Sequence, residues 1–198
     1  MNEETLFPLK YWMFKDEHYR SNRKEILSFI DCLREEYPDN VSKSNAGGWQ
    51  SENFHPQFKP ALFEGQGERI SNFILDSIRE LTNPMFTPKM QGAWVNINGK
   101  GNYNEAHNHP RTTLAACYYV RVPDKSGSFY FVNSIAEKDP INFLLKEPIM
   151  KSEHEVYPWE GTLLVFPATL MHRVGKSEAE SDRISIAYNI EVVLGNVV

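Results

Sequence analysis

The chain has 198 residues, enough for one domain with a buried core, and its 13% aromatic and 24% charged content is that of a globular protein, which excludes a disordered one. A formal net charge of −5 argues against a nucleic-acid backbone as the main partner, because duplex binding calls for a basic face. No apolar run is long enough to cross a bilayer, and the acidic start MNEETLFPLKYW does not read as a signal peptide, so a soluble cytoplasmic protein is expected.

The first third reads as helices and loops. Asn22-Arg23-Lys24-Glu25 has capping-box spacing, with asparagine in place of the usual hydroxyl residue. Ile26, Phe29, Ile30, Leu33 and Tyr37 follow at helical spacing, and Pro38-Asp39-Asn40 ends that helix. After the polar loop SKSNAGGWQSENFHP, Ile70, Phe73, Ile74, Ile78 and Leu81 mark a second helix from about Glu68 to Leu81, stopped by Asn83-Pro84.

The rest is strand-like. Strands are expected at 93–98, 112–122, 128–132, 161–166 and 183–193, with a turn at 123–127. Helices first and many short strands afterwards predict one domain, 1–198. Its helical and loop part is 1–90 and its β core is 91–198. The expected architecture is mainly β, an antiparallel sandwich or jelly roll with helices packed outside one sheet. Cys32, in a helical pattern, and Cys117, in a strand pattern, are both expected to be buried thiols outside any disulfide.

Chemistry concentrates in the β half. His107 and His109 lie two apart, so on an extended strand they would point the same way. His172 follows the strand-like run LLVFPATLM, which would deliver it to the end of a sheet. Three neutral imidazoles suit a first-row metal. In the last strand Ile184, Ile186, Tyr188 and Ile190 share one face, which would pack on the helices. Arg183, Ser185, Ala187 and Asn189 share the other. An arginine and a hydroxyl looking into a barrel mouth suit a carboxylate, and the buried cation would need one. The bland readings are two surface histidines in a polar loop from Asn102 to His109, and a salt-bridged arginine beside Asp182.

The runs AWVNINGKGNYNEAHNHP, YYV, GTLLVFPATLMHRV and RISIAYNI, with SNAGGWQS upstream, together resemble the 2-oxoglutarate/Fe(II) oxygenase family of the double-stranded β-helix superfamily. The resemblance covers most of the chain. It implies a jelly-roll core that binds Fe(II) and 2-oxoglutarate as cosubstrate and hydroxylates an unidentified substrate. His107 falls on the first metal ligand, His172 on the distal one, and Arg183 with Ser185 on the anchor for the far carboxylate. The superfamily pattern has Asp or Glu where this chain has His109. His109 can then complete a three-histidine site, stand off the metal, or mark a protein that keeps a metal for binding alone; the first is preferred.

Tyr119 shares a strand face with Cys117 and Ala115, and Tyr118 has the other. One of the two tyrosines should face inward, where its hydroxyl could touch the cosubstrate. Asn96 and Asn98 share a face with Trp94 and could orient ligands or bind cosubstrate, or form a solvated edge. Arg111, His18, His55 and His154 read as surface or structural residues. Two other functions stay open. One is a three-histidine, cupin-like metal dioxygenase without a keto acid, in which Arg183 is structural; the other is a non-catalytic jelly-roll module. The oligomeric state is open too, a homodimer included.

Overall fold

The computed structural model describes residues 9–55, 64–136, 144 and 150–195. The first eight residues of the acidic start therefore lie outside the described residues. In chain order the elements are β1 (Trp12–Lys15), α1 (Tyr19–Glu36), β2 (Asn45–Ala46), β3 (Trp49–Gln50), α2 (Gln66–Leu81), β4 (Phe86–Asn98), β5 (Tyr103–His107) and β6 (Leu114–Arg121). Then come β7 (Phe129–Val132), β8 (Glu153–Val156), β9 (Thr162–Pro167), β10 (His172–Val174) and β11 (Arg183–Leu194).

The strands form two antiparallel sheets, as a jelly roll requires. One has the order β1-β9-β6-β11-β4-β3, the other β2-β5-β10-β7-β8. Alternation along β11 decides how the layers stack. Ile184, Ile186, Tyr188 and Ile190 face the helices with Val95, Ile97 and Tyr118, against Ile26, Ile30, Leu33, Ile70, Ile74 and Ile78. Each of those helix side chains is almost wholly buried, worth about 1.5–3 kcal/mol apiece. The helices thus cover the outside of the six-stranded sheet, as its sequence pattern predicts. The inner face packs on the second sheet through Ala115, Cys117, Tyr119, Phe129, Val156, Leu164 and Phe166.

Several expectations need correction. Helix α1 starts at Tyr19, and the capping box does not form: Asn22 lies inside the helix and its Nδ2 donates to the His18 carbonyl at 2.8 Å. The start is set instead by buried Asp16, whose Oδ1 accepts the His18 backbone N–H at 2.9 Å. Cys32 is exposed, because it sits off the Ile26–Ile30–Leu33 stripe; Cys117 is buried as expected. The polar run expected as a loop ahead of His107 is strand β5. The amino-terminal part also supplies β1, β2 and β3 to the two sheets.

β2 and β3 are joined by Gly47 and Gly48, so one short strap crosses from sheet to sheet at an open edge. Both glycines have positive φ, +74° and +72°. A Cβ on Gly48 would come within 2.5 Å of the Ile97 carbonyl oxygen, which only glycine avoids. No helix of the described residues is long and apolar enough to cross a membrane.

Candidate metal and keto-acid site

His107 ends β5 and His172 begins β10, and the two are direct partners across the strand pair. Their ring centroids are 4.3 Å apart. His109 lies beyond the end of β5, so strand alternation does not align it with His107. Its backbone N–H donates to the Ala168 carbonyl at 2.8 Å, which returns it to the site. Its ring centroid is then 5.2 Å from those of both His107 and His172. One nitrogen from each of the three rings lies within 4.8 Å of the other two.

The tautomers follow from the hydrogen bonds. His107 Nδ1 lies 2.7 Å from the Glu105 carbonyl, and His172 Nδ1 lies 2.8 Å from that of Leu170. A carbonyl only accepts, so each Nδ1 carries the proton and each Nε2 keeps a free lone pair. A second-sphere acceptor of this kind fixes a ligand imidazole. His172 is stacked on Phe129 at 5.3 Å and meets the edge of Phe166 at 4.8 Å. Burial pushes its pKa down to about 3, reinforced by the neighbouring His107. Burial, then His107 and Lys43, takes His109 down to about 4, and burial lowers His107 as well. All three rings are therefore neutral near pH 7, the form that binds a metal.

The facing sheet supplies the cation. Arg183 is only 3% exposed. Its Nη1 donates to the Gly127 carbonyl at 3.2 Å, and its Nε has no hydrogen-bond partner among the described residues. Its guanidinium carbon lies 5.3 Å from the Tyr119 ring centroid. No carboxylate pairs with Arg183 among the described residues, so the reading of a salt bridge to Asp182 does not hold. Ser185 sits directly between Tyr119 on β6 and Asn96 on β4.

Arg183, Ser185, Asn96 and the three histidines line one cavity of about 960 Å³. Tyr119 is not in its wall. It is wholly buried against Arg183, with an unpartnered hydroxyl that burial keeps protonated. Tyr118 faces the helices and donates to Asp16 at 2.6 Å. Asn96 Oδ1 is buried and unpartnered, while Asn98 donates to Asn104 at 3.0 Å, so neither forms a solvated edge. Arg111, His18 and His154 are exposed and His55 is half-buried, and none of these three histidines belongs to the metal cluster.

Sequence reading missed Ser44, Lys43 and Asn104 on the cavity wall, and Phe129 and Phe166 around His172. The strap that brings Ser44 to the histidines gave no periodic signal. Three neutral nitrogen donors fit a first-row metal, and a buried arginine with a free donor fits a carboxylate, so the residues present suit iron and a keto acid.

A family profile described as "Putative 2OG-Fe(II) oxygenase" matches residues 92–189. Among solved structures, the fold is similar to a Pseudomonas putida prolyl-4-hydroxylase at 14% identity, covering 92% of this chain and 93% of that one, with a TM-score of 0.61. It is also similar to HygX from Streptomyces hygroscopicus with nickel, 2-oxoglutarate and hygromycin B bound, at 13% identity, with 92% and 83% coverage and a TM-score of 0.63. A third is the viral collagen prolyl hydroxylase of Paramecium Bursaria Chlorella virus-1, in a 2-oxoglutarate complex, at 14% identity, 91% and 94% coverage and a TM-score of 0.55. No curated protein matches the chain.

Proposed function

The chain belongs to the 2-oxoglutarate/Fe(II) oxygenase family, and on that premise we propose that His107, His109 and His172 hold the iron while Arg183 and Ser185 hold the far carboxylate of 2-oxoglutarate. The protein is a 2-oxoglutarate-dependent oxygenase with Fe(II) as its metal. One observation carries the residue assignment. Three neutral imidazoles and a buried arginine, without a counter-ion among the described residues, face the same cavity from opposite walls.

Fe(II) and 2-oxoglutarate, when bound with dioxygen, supply the oxidising power for hydroxylation of a C–H bond, with succinate and carbon dioxide released. The protein's own residues do the rest. His107 and His172 present Nε2 because backbone carbonyls hold Nδ1–H. Arg183 supplies charge-assisted hydrogen bonds, with Ser185 beside it, and the Tyr119 ring positions the guanidinium. Asn96 offers an unpaired oxygen to a donor group of cosubstrate or substrate. Phe129 and Phe166 exclude water around His172.

The substrate is a small molecule in this reading, since a cavity of about 960 Å³ is large enough for a second ligand beside the keto acid. The HygX complex, which holds 2-oxoglutarate and hygromycin B together, supports it.

The decisive experiment supplies the purified protein with Fe(II), 2-oxoglutarate and oxygen and measures succinate. Succinate formed in step with keto-acid loss, and lost in an Arg183→Ala variant that still binds metal, is the expected result. A metal-loaded protein that leaves 2-oxoglutarate unconsumed would instead favour a three-histidine dioxygenase with no keto acid.

A further inference from the structure

Ser44 carries chemistry that neither the metal ligands nor the arginine anchor account for. Its Oγ lies 3.4 Å from Nε2 of His107, the nitrogen with the free lone pair. It is also the end of a chain of side chains. Asn98 Nδ2 donates to Asn104 Oδ1 at 3.0 Å, and Asn104 Nδ2 donates to Ser44 Oγ at 3.4 Å. The chain has one direction. Asn104 Oδ1 is occupied by Asn98, so Asn104 turns its NH₂ to Ser44. One lone pair of Ser44 is thereby engaged, and its proton must point away from Asn104. His107 Nδ1 is held protonated by the Glu105 carbonyl, so His107 Nε2 can only accept. The Ser44 hydroxyl therefore donates to the nitrogen assigned to the metal.

Backbone pairing holds this arrangement in place. The Glu105 N–H donates to the Ser44 carbonyl at 2.8 Å, and Asn45 is paired with Asn104. Ser44 also lines the shared cavity.

Resting on the reading that His107 is a metal ligand, we propose that Ser44 is a catalytic residue that donates a hydrogen bond to an anionic oxygen ligand on the ion, the metal-proximal carboxylate of the keto acid. Once a metal takes the Nε2 lone pair, the hydroxyl loses its acceptor. Asn104 still directs its proton toward the ion's coordination sphere. An unsatisfied donor there favours an oxygen anion, and the bond is charge-assisted. Metal binding itself gains nothing from Ser44, because in the metal-free protein the hydroxyl occupies the nitrogen the metal needs.

The test separates two affinities. Co(II), a redox-silent stand-in for Fe(II), is titrated into wild type, Ser44→Ala, Ser44→Thr and Asn104→Asp. 2-Oxoglutarate is then titrated into each Co(II) complex, by calorimetry and by the visible spectrum of the bound ion. In Ser44→Ala the Co(II) affinity should be unchanged or slightly tighter, while keto-acid affinity falls about tenfold. Ser44→Thr, which keeps the hydroxyl, should restore it. Asn104→Asp removes the NH₂ that orients Ser44 and should weaken the keto acid in the same direction, which tests the relay without touching Ser44. Unchanged keto-acid affinity in both Ser44→Ala and Asn104→Asp overturns the proposal, and so does an equal loss of both ligands in Ser44→Ala. A wild-type protein that binds Co(II) but is indifferent to Ser44 leaves the metal site standing; one that binds no Co(II) overturns both readings.

Discussion

Arg183 is a cation held out of water with, among the described residues, one carbonyl contact and a free Nε. Such a group costs free energy in the ligand-free protein, and an anion repays that cost only when bound. Opposite effects on stability and on binding follow. Arg183→Met, similar in length and apolar, should raise the stability of the ligand-free protein by about 1–3 kcal/mol in urea unfolding. The same change should weaken 2-oxoglutarate on the order of 100-fold while sparing Co(II). A variant that loses both stability and metal would make Arg183 a structural residue. His172→Ala should abolish stoichiometric Co(II) binding, because it removes one of three nitrogens and leaves only two. These residues were readable in the chain because each is a chemically distinctive type at a strand end. His109 was found for an incorrect reason: the spacing suggested alternation, whereas a backbone hydrogen bond to Ala168 places it. Ser44 was invisible because a serine in a polar loop carries no pattern.

At the scale of elements, the strands that sequence resolved are the long ones with alternating faces. β11 and β4 run side by side over most of their lengths, and their two faces have opposite duties, so the period of two is clear. The short strands escaped. β2, β3 and β10 have two or three residues each, too few for any period, and they exist because neighbouring strands offer open backbone groups. β10 is the costly omission, since pairing on both sides, with β5 and β7, is what sets His172 against His107. The turn between β6 and β7 was legible from Pro123 to Gly127, but its role was not. Its Gly127 carbonyl receives the Arg183 Nη1 proton, Gly127 has φ +84°, and a Cβ there would lie 2.1 Å from the Gly175 carbonyl oxygen. Gly127→Ala must therefore push the turn off Gly175 and shift the arginine's anchor. We expect a loss of about 1–3 kcal/mol in stability and a selective rise in the 2-oxoglutarate dissociation constant, with Co(II) affinity retained. Titration of both ligands against the variant checks the selectivity.

For the molecule as a whole, one sheet is committed to the helices and its inner face, with the second sheet, is left to form the cavity. The aromatic packing that closes the sandwich is the same packing that desolvates the histidines, so fold stability and ligand readiness are coupled through protons. An unfolded histidine titrates near 6.5, whereas His109 and His172 in the metal-free fold titrate at about 4 and about 3. Between those values the unfolded chain holds protons that the folded one refuses. Linkage then requires that stability be full above about pH 6.5 and fall as the pH drops toward the folded values. Urea midpoints of the metal-free protein should decline from pH 7.5 to pH 5, a range in which most carboxylates stay ionised and contribute little slope. His172→Phe keeps an aromatic ring between Phe129 and Phe166 but cannot take up a proton. It should flatten that decline while leaving the midpoint at pH 7.5 equal or higher. A wild-type slope that survives the substitution unchanged would place the acid sensitivity outside His172.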